Sequence, residues 1–360
     1  MRIGIDFGGT KTEIICLNAD NGKELYRQRV PSPQNDYKAT VKNMAGLVLA
    51  AEKTLKQKGT VGVGIPGTVS SVTGLVKNAN STWLNGNPLD KDLEKALGRP
   101  VRVENDANCF AVSEATDGAG AGKRVVFGVI IGTGCGAGVV VEGKSLVGLN
   151  GIGGEWGHNP LPFPRAHSAD YDKMVRHFDK GENRDAIISK TYAKKARPEY
   201  FAKDWSWNEF PGEQCYCGKR GCIETWISGT GFKKDYARVT GEDLSTHDII
   251  ANALEGEKKA VAALDRYIDR LARALSGIID VIDPDVIVLG GGMSNVMRLY
   301  KDTPKIWDRY IFSDTCHTKI APPRHGDSSG VRGAAWLWGR EATAAAQDNK
   351  KTVKARKKAR

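Results

Sequence analysis

Ile3-Gly4-Ile5-Asp6-Phe7-Gly8-Gly9-Thr10-Lys11 is a short apolar run that ends on an acid and turns on two glycines. The chain then returns as a second apolar run, Thr12 to Leu17. An acid at a strand end, followed by a turn whose backbone N–H groups carry no bulky side chains, suits phosphate oxygens and their counter-cation. Asp6 would hold Mg²⁺ directly or through water, because that ion prefers hard oxygen ligands. A plain structural hairpin reads equally well from these nine residues alone. Neither Gly-x-x-x-x-Gly-Lys-Ser/Thr nor Gly-x-Gly-x-x-Gly occurs here, so Walker-type and dinucleotide-binding readings lose ground.

Outward from this turn the pattern is α/β. Asn21-Gly22 is a hairpin signal, and Leu25 to Val30 reads as a third strand. Asp36 to Lys58 carries Val41, Met44, Leu47, Val48 and Leu55 at helical spacing and stops at Gly59. Strand Val61–Ile65, helix Leu89–Leu97 and strand Val101–Val103 follow, then Glu104-Asn105-Asp106-Ala107-Asn108 and a helix from Cys109 onward. A polar cluster between strand and helix is where α/β proteins place their chemistry. Asp106 therefore reads either as a helix N-cap or as a general base. Val125–Ile131 and Ala137–Val141 flank a second turn, Gly132-Thr133-Gly134-Cys135-Gly136, so the second half begins as the first does. Duplicated halves facing a cleft are expected, with two glycine turns clamping phosphates from both sides. Small, flexible Gly118–Gly122 marks the boundary, giving units 1–117 and 118–328. Helices are expected over Ser228–Tyr236, Ser245–Glu255 and Glu257–Val281, and a small helical insertion over 161–213. A last helix from Ser329 packs back through Val331, Ala334, Ala335 and Trp338, completing the first unit over 329–340.

The 360 residues are 40% apolar and 26% charged, enough for two packed units. The formal charge of +11 is uneven: residues 341–360 hold seven Lys or Arg against two acids, a tail expected to be disordered and solvated. No aromatic residues interleave with these cations, so no specific nucleic-acid partner is expected. No apolar run reaches membrane-spanning length and no processing signal precedes the first strand, which places the expected protein in the cytoplasm. Seven cysteines are an odd number; Cys215, Cys217 and Cys222 cluster, while Cys16, Cys109 and Cys135 sit in apolar or glycine-rich runs. One cysteine-rich metal site in a reduced compartment accounts for them better than a disulfide framework.

Taken together, Asp6-Phe7-Gly8-Gly9-Thr10-Lys11, Glu104-Asn105-Asp106-Ala107-Asn108, Gly132-Thr133-Gly134, Gly154-Glu155-Trp156-Gly157-His158, Cys215-Tyr216-Cys217-Gly218-Lys219-Arg220-Gly221-Cys222-Ile223-Glu224 and Gly290-Gly291-Gly292 resemble the ROK (repressor, open reading frame, kinase) family, and within it the bacterial fructokinases. The resemblance implies an actin-like ATPase (ribonuclease H-like) fold over residues 1–338. It implies transfer of the γ-phosphate of ATP to the 6-hydroxyl of fructose, with glucose, mannose or N-acetylglucosamine as the alternative hexoses and a non-catalytic sugar sensor as a remoter one. Asp106 then matches the catalytic base; Asn80, Asn105, Glu155, His158 and Glu224 match sugar ligands. Asp6, Gly8, Gly9, Thr10, Lys11, Gly132, Thr133 and Gly134 match the ATP-Mg²⁺ site, and Gly290, Gly291, Gly292 and Met293 the adenosine-side turn. His158 with Cys215, Cys217 and Cys222 matches a structural zinc site of one nitrogen and three thiolates; His167 and His177 are rival ligands outside the motif. The family's repressors place a helix-turn-helix before the first phosphate turn, whereas Met1 opens on that strand, so a kinase is expected. A homodimer is what the family implies. In one respect the chain departs from the pattern: 56 residues separate His158 from Cys215, where the family has a shorter link.

Overall fold

The structure, a computed structural model, describes residues 1–167, 201–202 and 205–339. The first sheet holds β1 (Arg2–Phe7), β2 (Lys11–Leu17), β3 (Glu24–Pro31), β4 (Thr60–Ile65) and β5 (Val101–Asn105) in the order β3-β2-β1-β4-β5. The second holds β6 (Val125–Ile131), β7 (Cys135–Val141), β8 (Lys144–Ser145), β9 (Val286–Gly290) and β10 (Lys319–Ala321) in the order β8-β7-β6-β9-β10. In each sheet three strands run as an antiparallel meander and two more add in parallel. The repeated pattern of strand, glycine turn and strand in the sequence is the visible trace of this shared plan. The result is a two-lobed α/β fold with mixed sheets.

Helices α1 (Tyr37–Leu55), α2 (Leu89–Leu97), α3 (Asp106–Thr116), α4 (Ile223–Ile227), α5 (Gly229–Thr240), α6 (Thr246–Leu254), α7 (Lys258–Ile282), α8 (Met297–Trp307) and α9 (Ser329–Trp336) surround the sheets. Side-chain oxygens of Asp36, Ser228, Ser245 and Glu257 accept first-turn N–H groups, so α1, α5, α6 and α7 start where the capping residues in the sequence place them. The expectation differs at α3, which begins three residues earlier than Cys109 because Asn105 caps it and β5 runs on to that residue. Of the stretch 161–213, residues 168–200 and 203–204 lie outside the described residues, as do His177 and the tail 341–360. Its two ends are visible, and the backbone N–H of Glu209 donates to the carbonyl of Arg165 at 2.8 Å. Both are fastened to α7: the Glu209 carboxylate accepts from Arg270 and Arg273 at 2.7 Å each, and Arg165 pairs with Asp269 at 2.7 Å.

The lobes share one apolar cluster. Ile15 and Leu17 of the first sheet meet Val126, Val140, Val286 and Val288 of the second through Phe110, Val112, Val331 and Trp336 of α3 and α9. Backbone approaches are unusually close here. A Cβ on Gly4 or Gly62 would stand 2.1 or 2.0 Å from a carbonyl oxygen of α9, and one on Gly333 would stand 1.6 Å from the carbonyl oxygen of Cys109 in α3. Val331, Ala334 and Ala335 are buried, as the last helix's pattern leads one to expect, and Trp336 is buried with them. Trp338 donates its indole N–H to the carbonyl of Val61 at 2.7 Å.

Two glycine substitutions should therefore move stability in opposite directions. Gly333→Ala is expected to cost about 3 kcal/mol, because a methyl group has no room at the helix crossing. Gly46→Ala, in α1 with nothing near its Cβ direction, should gain about 1 kcal/mol. Chemical denaturation of both variants against the parent chain checks the pair.

Candidate active site

Between the lobes lies a cleft of about 640 Å³, within the range that takes small-molecule ligands. Asp6, Gly8, Gly9 and Thr10 line one side, with Asn80, Ser81 and Trp83 nearby; Asp106 and Phe110 form its floor, and Ile130 and Gly291 come from the second lobe. Tight closure of the first turn explains its shape, since the N–H of Gly8 donates to the carbonyl of Lys11 at 2.9 Å. Lys11 is the exposed first residue of β2.

Asp6 and Asp106 stand at the carboxyl ends of β1 and β5, the two neighbours of β4. Gly64 of β4 is in register with Asp6 on one side and Glu104 on the other, so no side chain separates the two strand ends. Asn105 is the helix cap: its Oδ1 accepts the N–H of Ala107 at 2.8 Å and of Asn108 at 3.4 Å. Asp106 occupies the first helical position on the cleft lining, where its Oδ1 shares the N–H of Ala107 at 2.8 Å. Glu104, which the sequence only marks as crowded, braces this corner by accepting from the N–H of Asn105 at 2.9 Å and from Nδ2 of Asn108 at 3.1 Å.

Electrostatics at this corner favour a cation. Lost hydration raises Asp6, helped by the charges of Asp106 and Glu13, to about 7. Asp106 is raised for the same first reason, with Glu155 adding to it. Loss of hydration also raises Glu104. Oxygen donors of this kind fit Mg²⁺, whose charge would relieve the repulsion.

The second turn is held from behind. Glu224 accepts the N–H of Cys135 through Oε2 at 3.0 Å, and the Gly132 carbonyl accepts from Gly229 at 2.8 Å. Glu224 thus connects the glycine turn to the cysteine segment. Gly290 lies over the Phe110 ring, which a Cβ would meet at 2.6 Å, and the Met293 side chain belongs to the core of the second lobe. Gly291 has φ of 77° and is the member of that turn on the cleft lining. Gln34 and Ser81, which lack a motif of their own, also line the cleft.

His158, Cys215, Cys217 and Cys222 come together with all four ligand atoms within 4.8 Å of one another. Nδ1 of His158 is 3.6 Å from Sγ of Cys215, and Sγ of Cys217 is 3.6 Å from Sγ of Cys222. A tetrahedral zinc with Zn–S bonds of about 2.3 Å needs sulfurs roughly that far apart, so the donor set fits the metal and leaves no open position. The knuckle is shaped by the N–H of Gly218 donating to the Cys215 carbonyl and by Gly218 and Gly221 at positive φ. On the far side of the imidazole, Nε2 is 2.9 Å from the hydroxyl of Tyr216.

Zinc should be found at about one ion per chain by elemental analysis, and Cys217→Ser should lose most of it and melt at a lower temperature. Proton linkage supplies a second test. An unfolded carboxyl releases its proton near 3.8, whereas folded Asp6 does so at about 7. The folded chain therefore holds a proton that the unfolded chain gives up between those values. This stabilisation is complete below the lower value and is lost as pH rises through the upper one. In metal-free buffer the melting temperature should fall between about pH 4 and pH 7, and Asp6→Asn should flatten that slope.

The ROK family model matches residues 2–341. The N-acetyl-D-glucosamine kinase of Photobacterium profundum is 37% identical over 337 residues, covering 94% of this chain and 99% of its own. That of Vibrio cholerae serotype O1 is 38% identical over 337 residues, with the same coverage of 94% and 99%. Among solved structures, the ROK hexokinase from Thermus thermophilus superposes with a TM-score of 0.73 at 25% identity, over 93% of this chain and 97% of that one. A ROK family glucokinase from Streptomyces griseus, solved with glucose and AMPPNP, shares the fold at a TM-score of 0.65 and 24% identity, over 93% and 98%. These relatives overturn the fructokinase resemblance. The motifs that carried it, two glycine turns, an Asn-Asp pair and a cysteine knuckle, do not name the sugar. With its sheets, its cleft and nearly all of its length accounted for, the chain belongs to the ROK family.

Proposed function

We propose that this protein is an ATP-dependent sugar kinase that phosphorylates the 6-hydroxyl of N-acetyl-D-glucosamine, with Asp106 as general base. The observation that carries the reading is Asp106 itself, a raised carboxylate at the first position of α3, facing a cleft that also holds Asp6 and the first glycine turn. Kinship at 36–38% identity with N-acetyl-D-glucosamine kinases over 94% of the chain supports the choice of sugar.

In this mechanism the sugar hydroxyl donates its proton to Asp106 as its oxygen attacks the γ-phosphorus, so the residue acts only when ionised. Burial that raises its pKa makes it a stronger base and moves the acid limb of the activity profile toward neutral pH. Asn105 fixes the start of α3 and offers its Nδ2 to the sugar, while Glu155, His158 and Glu224 hold the remaining hydroxyls. Asn80, on the first-lobe side, adds a further sugar contact. The turns Gly8-Gly9-Thr10 and Gly132-Thr133-Gly134 present N–H groups to phosphate, and Asp6 would anchor Mg²⁺, which supplies charge neutralisation on the phosphates when bound. Gly291 gives the adenosine side a flat approach. The zinc knuckle supports the sugar side without joining the chemistry, and the two lobes close on the ligands in the manner of actin-like ATPases. A homodimer remains part of this reading, and among the described residues no helix is long and apolar enough to cross a membrane.

A coupled ADP-release assay over N-acetylglucosamine, glucose, mannose and N-acetylmannosamine should give the highest kcat/KM for N-acetylglucosamine. Asp106→Asn should lower kcat by about 100-fold or more while ATP still binds. Turnover near the parental value in that variant would remove Asp106 from the mechanism, and preference for glucose would change the assigned sugar.

A further inference from the structure

Tyr216 is the residue between the first two cysteines of the knuckle, and nothing in the zinc chemistry requires an aromatic there. It is 83% exposed, the kind of surface placement that a tyrosine on a tightly folded loop occupies at a cost in apolar hydration. Its hydroxyl is nevertheless committed, at 2.9 Å from Nε2 of His158, with the two rings edge to face at 5.0 Å and 90°. Loss of hydration and then the charges of Glu224 and Glu155 act on the same hydroxyl. Tyr216 is therefore in contact with one of the three side chains to which the proposed function gives the sugar, and within electrostatic reach of the other two.

We propose that Tyr216 is a specificity-determining residue of the sugar pocket, contacting the N-acyl group of the substrate and setting the preference for N-acetylated over unsubstituted hexoses. Two carboxylates and an imidazole can exchange hydrogen bonds with sugar hydroxyls but offer nothing to a methyl group. A phenol supplies what they lack: a ring for the acyl methyl and a neutral O–H donor for the amide carbonyl. Zinc on Nδ1 would leave the His158 proton on Nε2, shared between the Tyr216 oxygen and an incoming sugar hydroxyl. In either case the phenol O–H would remain available to donate. The knuckle fixes where the phenol stands, so its position is set by backbone and not by the substrate. This inference rests on the sugar-kinase reading and refines it to a substrate class.

The experiment measures kcat and KM for N-acetylglucosamine and glucose with the full chain, Tyr216→Phe and Tyr216→Ala, together with zinc content and direct calorimetric binding of N-acetylglucosamine. The expected result for Tyr216→Ala is at least a roughly 10-fold fall in the ratio of the two kcat/KM values, carried by KM for the acetylated sugar, with about one zinc per chain retained. Tyr216→Phe should lose a smaller part, the share owed to the hydroxyl. Equal losses on both sugars, or no loss on either, would overturn the proposal. If the alanine variant sheds its zinc, the phenylalanine variant decides: an unchanged ratio there, with unchanged calorimetric affinity, also overturns it. Failure of the parent chain to phosphorylate any hexose would instead defeat the functional reading, and the calorimetry would still show whether Tyr216 contacts the acetylated sugar.

Discussion

The crossing of α3 and α9 at Cys109 and Gly333 is the constraint on which the rest of the molecule depends. α3 lies against the second sheet, where Gly128 and Gly138 clear space for it, and α9 lies against the first, over Gly4 and Gly62. Each helix is thus seated on one lobe while touching the other. The contact is made of backbone, so it cannot be loosened by rotating a side chain. Polar groups lock the far end: Glu114 accepts from Ser329 at 2.8 Å and from the N–H of Ala119, and Asp117 binds Arg332, His325 and the Trp336 indole. Because α3 starts at Asp106, the position of the candidate base is fixed by the same packing that joins the lobes.

This arrangement sets stability against chemistry. Asp6 and Asp106 share a corner in which lost hydration and neighbouring carboxylates raise both, and half-buried Glu104 lies two residues before Asp106. A chain selected for stability alone would neutralise at least one of these carboxylates. Their presence together makes sense where a cation and a transferable proton are to be handled. Large apolar clusters in both lobes offset the cost.

Much of this is legible in the amino-acid order. Helix caps announce themselves through short local hydrogen bonds, so Ser228, Ser245 and Glu257 mark the starts of their helices to within a residue, while α5 runs on to Thr240, past the expected Tyr236. Glycine turns and cysteine spacing are equally local. Asp106 is not decidable at that level, because its two roles use the same residue type at the same strand-to-helix junction; only the geometry moves the cap to Asn105. Gln34 and Ser81 reach the cleft through tertiary packing and leave no periodic or spacing signal. Lys11 shows the converse, a motif member that is exposed at the start of β2 and is not among the residues lining the cleft. Sugar identity escapes a motif-based reading because it depends on a few side chains converging from distant segments, while the motifs that dominate the pattern concern phosphate and metal.

The clasp formed by Arg165, Glu209, Asp269, Arg270 and Arg273 has an evolutionary meaning. It joins the two ends of a long insertion at one point and bolts that point to α7, with Arg270 and Arg273 almost fully shielded from water. The entropy of closing the loop is met at the clasp, and it grows only slowly with the number of residues enclosed. Chain inserted or deleted beyond the clasp therefore leaves the cysteine knuckle and the cleft where they are. The site between His158 and Cys215 behaves as a socket, in which descendants of one scaffold can exchange whole segments without rebuilding the machine beneath.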